Sequence, residues 1–134
     1  MVPEPFESVQ NDIVQDTQIQ LAAIWIALML TYLLGDVLRI FAGDFKAGEI
    51  GGMKPTQLMW LGVAVLMLIP IVMVVFSVSV AGDVAKWVHA GAAVGLLGFN
   101  LIGLPTYPGL YDRFLIVVGL AFNALTIWTV WNWV

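Results

Sequence analysis

Hydrophobic residues run almost unbroken through four stretches of the chain, at 19–41, 56–81, 84–104 and 110–134, while polar residues collect in the segments between them. Each run is long enough to cross a hydrocarbon layer of ~30 Å as a helix, since such a crossing takes about 20 residues. A helix also satisfies its own backbone hydrogen bonds where there is no water to do so. The pattern predicts an all-α, integral membrane four-helix bundle, up-down-up-down, with short loops. Thr17-Gln18-Ile19-Gln20 has the spacing of a capping box and sets the first span at Ile19–Phe41. The Gly-rich segment 43–54 and Pro55 separate it from the second span, Thr56–Ala81, where Pro70 frees the Leu66 carbonyl and is expected to kink the helix. Asp83 suits the N-cap of the third span, Val84–Leu104, and Pro105-Thr106-Tyr107-Pro108-Gly109 is a turn cluster before the fourth, Leu110–Val134.

The first 18 residues break this pattern. Glu4, Glu7, Asp12 and Asp16 face no Lys or Arg there, and the basic stretch that opens a signal peptide is missing, so the segment is read as a retained acidic tail on a single membrane domain, 19–134. A solvated irregular segment is the preferred reading. Phe6, Val9 and Ile13 recur at helical spacing and keep a short interfacial helix as the alternative.

Composition narrows the chemistry. Hydrophobic residues make up 61% of the chain and charged residues 10%, against the ~25% charged of a soluble domain. The net charge of -4 offers no basic patch to a phosphate backbone, so no nucleic-acid partner is expected. With no cysteine, disulfides, thiol redox chemistry and thiolate metal sites are excluded, and with His89 as the single histidine a bis-histidine haem within one chain is excluded too. Met59, Met67 and Met73 read as adaptable packing rather than a copper path. No phosphate loop, nucleophile elbow or metal-ligand spacing occurs, so no metal, no cofactor and no enzymatic activity are expected.

Arg39, Lys46, Lys54 and Arg113 flank the first and third connections, whereas Lys86 alone marks the opposite side. The positive-inside bias places those connections in the cytoplasm and both termini on the outer side of a cell inner membrane. Trp128, Trp131 and Trp133 crowd the C-terminal end, as in an interfacial aromatic belt.

Polar residues inside the spans are few and ordered. Trp25, Tyr32, Asp36 and Arg39 fall on one stripe of the first span, which should therefore face protein. An isolated charge at the depth of Asp36 costs on the order of 2–3 kcal/mol, so a partner, a proton or water is required. On the fourth span Asp112, Ile116, Gly119, Asn123 and Thr126 form a small, polar seam, and Asp112 and Arg113 lie at the same membrane side as Asp36 and Arg39. Two acids and two arginines at one depth predict a four-residue ion-pair cluster between the first and last helices, read first as a latch and second as a ligand or proton site. Asn100 and Asn123 lie deeper and need hydrogen-bond partners, for which they are candidates to each other. The third span carries Gly91, Gly95 and Gly98 on one face, with intrachain packing favoured over dimerisation. His89 and Asn100 line nearly the opposite face, His89 being read as an interfacial hydrogen-bonding residue.

The segment from Trp25 to Leu38, with Trp25-Ile26, Met29-Leu30, Tyr32 and Asp36, resembles the first helix of a family of small four-span bacterial membrane proteins known as a domain of unknown function. The resemblance implies the four-span architecture and a special place for Asp36, and no activity. The expected role is a non-catalytic membrane component, an accessory or assembly subunit that meets other membrane subunits in the bilayer. The alternative is a small homo-oligomeric solute or proton-coupled transporter that uses Asp36.

Overall fold

The structure, a computed structural model, describes residues 4–50 and 52–133. Four helices follow one another: α1 Pro5–Phe41, α2 Gln57–Ser79, α3 Asp83–Gly103 and α4 Leu110–Trp131, with a 3-10 turn Leu104–Thr106 after α3. All four are long and apolar enough to cross a membrane. Val134, the expected end of the fourth span, and the tail residues before Glu4 lie outside the described residues.

The main departure from expectation is α1. Pro5 sits in its first turn, where the missing N–H costs nothing, and the helix continues without a break through the acidic segment. Thr17 is therefore no cap; its hydroxyl donates back to the Ile13 carbonyl at 3.0 Å, inside the helix. The 37 residues of α1 span roughly 55 Å at 1.5 Å per residue, much longer than the other three. Gln18 Nε2 donates to the Val80 carbonyl at the end of α2, and Val14 still packs on the core. The stretch Pro5–Ile13 projects past that contact by on the order of 13 Å. The tail is thus helical, and Phe6, 81% exposed, ends an uncovered apolar stripe with Val9 and Ile13.

Elsewhere the boundaries shift little. Thr56 caps α2 by accepting from the Met59 amide, and Pro70 is buried within that helix. Gly82, at φ 92°, takes the cap position of α3 that was expected of Asp83, because the three-residue reversal between α2 and α3 requires a left-handed backbone there.

α1 lies between α2 and α4, α3 closes against α4, and α2 meets α3 only sparsely. The core divides into two clusters. Trp25, Leu28, Met73, Ala93 and Leu96 form one, flanked by Tyr32, Leu66, Phe76 and Phe122. Leu21, Ala85, Val130 and Trp133 form the other, near the end where α1 projects. Trp133 is 5% exposed and belongs to this core, unlike Trp128 and Trp131, which remain on the outer surface. Of the expected seam of α4, Asp112, Gly119, Asn123 and Thr126 are buried and Ile116 is half-buried, and Val130 extends the buried face by one turn.

The glycine face of α3 points the other way from the expectation. A Cβ placed on Gly91, Gly95 or Gly98 would meet nothing within 4 Å, so these residues pack against no other helix of the chain. The polar face of α3 turned inward instead, because His89 and Asn100 find hydrogen-bond partners there.

Candidate functional site

Two hydrogen bonds cross the bundle from α1 to α3, which do not otherwise adjoin. Trp25 Nε1 donates to His89 Nδ1 at 3.0 Å, and Asn100 Nδ2 donates to the Tyr32 hydroxyl at 2.6 Å. His89 is fully buried, stacked on Trp25 and close to Phe76 and Trp133. It is thus a core residue rather than an interfacial one. Tyr32 is seated by Gly119 on α4, where a Cβ would stand 3.3 Å from the Tyr32 ring. The expected Asn100–Asn123 bond is not formed. Asn100 is taken by Tyr32, and the Asn123 side chain is fully buried, its amide nitrogen and its oxygen without a hydrogen-bond partner among the described residues.

Nearer the end of α1, Arg39 Nη2 lies 3.2 Å from Asp112 Oδ1, and the Arg39 guanidinium stacks 4.7 Å from the centre of the Tyr107 ring. Asp112 is 6% exposed and Arg39 31%, so the pair is partly shielded from solvent. Arg113 does not join it. Its Nε donates to the Tyr107 carbonyl at 2.7 Å, fixing the loop whose ring covers Arg39. Tyr111 donates to Asp44, tying the first connection to the start of α4. The expected cluster of two acids and two arginines is thus reduced to one ion pair, because successive residues 112 and 113 of α4 point in directions about 100° apart and only Asp112 faces α1.

Asp36 is left over. Among the described residues it takes part in no ion pair, although Arg39 and Asp112 act on it electrostatically. Unlike the other members of its stripe, which were all expected to face protein, Asp36 is exposed, and it lies on the wall of a cavity of about 260 Å³ that Tyr32, Arg39, Asn100 and Asp112 also line. Leu66 and Met67 of α2, Leu96 and Phe99 of α3, and Leu115 and Ile116 of α4 supply its apolar walls. The cavity occupies the space where α2 and α3 fail to close on each other. Of the residues singled out in the sequence, it gathers Tyr32, Asp36, Arg39, Asn100 and Asp112, and leaves Arg113, Asn123 and the three glycines outside.

The charged groups of the cavity are two carboxylates and one guanidinium, with two phenols, the Thr31 hydroxyl and an amide beside them, a mixed polar and apolar lining of the kind that small-molecule sites have. Among the described residues no three His, Asp or Glu side chains gather as a metal site would need. The buried Trp25–His89 pair was missed in the sequence reading, where Trp25 counted only as one member of a stripe; the signal available was two aromatic, polar-tipped side chains on the inward faces of their helices.

No curated protein and no solved structure matches the chain. The profile of a family described as one of unknown function, DUF6326, matches residues 11–131, which takes in α2, α3, α4, all of α1 but its first six residues, and every residue that lines the cavity. The resemblance carried by Trp25 to Leu38 therefore extends over nearly the whole chain, and the protein belongs to the DUF6326 family.

Proposed function

We propose that this protein is a non-catalytic, multi-pass membrane protein that binds a small solute inside its bundle and carries it, with Asp36 as the charged anchor. The observation that carries this reading is the division of labour among the three charged residues. Arg39 is committed to Asp112, which frees the carboxylate of Asp36 to face a 260 Å³ cavity. An arginine one turn from Asp36 would have argued for mutual neutralisation, but the guanidinium is directed across to α4. An intramembrane acid that is not consumed by structure is a site for a solute or a proton. With the arginine- and lysine-bearing connections in the cytoplasm of a cell inner membrane, the cavity lies in the cytoplasmic half.

The test is solute-dependent stabilisation of the purified protein. A ligand that binds only the folded state raises the melting temperature by mass action. Across a panel of small cations, anions and neutral solutes, at least one class should raise it, and Met67→Trp, which fills the cavity from α2, should abolish the effect. A panel without any Met67-dependent shift would remove the reading.

A second reading, an accessory subunit of a larger membrane assembly, is favoured by the projecting end of α1. Phe6, Val9 and Ile13 are exposed on a stretch where Glu4, Glu7, Asp12 and Asp16 have no Lys or Arg among them, a surface suited to an apolar groove with basic edges. The native mass of the protein in mild detergent separates the two: a stoichiometric larger partner supports the subunit, and a species made only of this chain counts against it.

A further inference from the structure

We infer that the solute is a small organic cation with an apolar body, such as a ring carrying a methylated ammonium group. The inference rests on the solute-site reading above and specifies its ligand. Two carboxylates and one guanidinium line the cavity, leaving one negative charge in excess. The positive charge is already engaged twice, by the Asp112 carboxylate and by the face of Tyr107. An anion would have to draw Arg39 away from Asp112 while approaching Asp36. A neutral occupant would exclude water from Asp36 and leave its charge without a counterpart, which a low-dielectric site penalises. A cation completes the count, pairing with Asp36 as Arg39 pairs with Asp112.

The rest of the wall fits the rest of such a molecule. Tyr32 and Phe99 offer aromatic faces, to which a quaternary or methylated ammonium is attracted. Leu66, Leu96 and Leu115 give the apolar body a hydrophobic surface. Size is consistent too: an apolar cavity of about 150 Å³ holds a benzene, so 260 Å³ leaves room for one ring and a compact headgroup. The loose seam between α2 and α3 gives an amphiphile a way in from the side.

The experiment uses the full chain in nanodiscs and three benzyl probes: benzyltrimethylammonium, its neutral isostere neopentylbenzene, and the smaller anion phenylacetate. Binding is read by saturation-transfer NMR and by tryptophan fluorescence, and only the part lost in Met67→Trp is counted as cavity binding. The expected result is that benzyltrimethylammonium binds about tenfold or more tightly than the neutral isostere, the ratio one charge-assisted contact supplies. Asp36→Asn should erase that preference and Asp36→Glu should keep it. Equal cavity binding of the cation and the isostere, or a preference for phenylacetate lost in Arg39→Gln, would leave the solute site standing and overturn the cation. No cavity binding by any probe would overturn both.

Discussion

Trp25 and His89 are joined across the bundle, the indole N–H donating to imidazole Nδ1 at 3.0 Å between two helices that otherwise make little contact. Because Nδ1 accepts, the neutral ring carries its proton on Nε2, which is buried and has no partner among the described residues. Among those residues the indole supplies the hydrogen bond that the imidazole makes. Trp25→Phe should lower the stability of the solubilised protein by ~1–3 kcal/mol, the cost of stranding a buried polar group, beyond any loss of packing. Adding His89→Leu should recover part of that loss, since both polar partners are then gone. Thermal unfolding of the two single variants and the double variant measures the coupling, and strict additivity would contradict it.

The two membrane acids should behave differently although they lie at the same depth. Asp112→Asn strips Arg39 of its carboxylate and is expected to lower stability by ~1–2 kcal/mol, a discounted figure because Arg39 is 31% exposed. Asp36→Asn removes no ion pair and should leave the melting temperature unchanged or slightly raised. A latch centred on Asp36 would give the reverse order in the same melting experiment.

Two glycines separate an inner from an outer surface. Gly119→Leu would drive a side chain into the Tyr32 ring, 3.3 Å from the first added carbon, and break the Tyr32–Asn100 bond. A loss of about 1–3 kcal/mol is expected, as for other overpacked sites. Gly95→Leu meets open space and should leave the melting of the isolated chain unchanged. If Gly95→Leu instead lowered the stability of a homo-oligomer, the α3 glycine face would be an interface between chains, which native mass would report.

Removal of residues 4–12 should change the stability of the bundle by no more than about 0.5 kcal/mol, the range of surface changes. Val14 and Gln18, which hold α1 to the rest, are kept. Circular dichroism and melting of the shortened chain provide the check, and a collapse of the fold would mean that the projecting stretch supports the core.

The sequence carried the inward faces of α1 and α4 clearly. Trp25, Tyr32 and Arg39, and Asp112, Gly119, Asn123 and Thr126, repeat at helical spacing, and burial on one side selects for that repeat. What it could not carry was the choice of partner among groups on facing helices. Periodicity places Asp36, Arg39, Asp112 and Arg113 at one depth but does not say that Arg39 reaches Asp112 while Arg113 turns to the Tyr107 carbonyl. It likewise gives Gly91, Gly95 and Gly98 one face without giving the sign of that face. The helical tail was obscured for another reason. Its acids have no i,i+4 bases to mark a stable helix, and its continuity comes from growing out of α1 rather than from its own composition.

The two bonds between α1 and α3 stand roughly two turns apart on α1 and three on α3. Such unequal rungs fix the register of the two helices, since sliding either along its axis must lengthen at least one of the two bonds. α4 is held to α1 by the Arg39–Asp112 pair. Among the described residues α2 has neither kind of tie, and its one side-chain bond to another helix is the Gln18 amide on the Val80 carbonyl, at the end remote from the cavity. α2 is therefore held to α1 by apolar packing rather than by polar ties, with Met73 in the shared core and Leu66, Ile69 and Phe76 packed against it. Widening the seam with α3 would cost α2 no polar tie at the level of the cavity, and Pro70, which cannot bond back to Leu66, lies one turn from the α2 residues that line it.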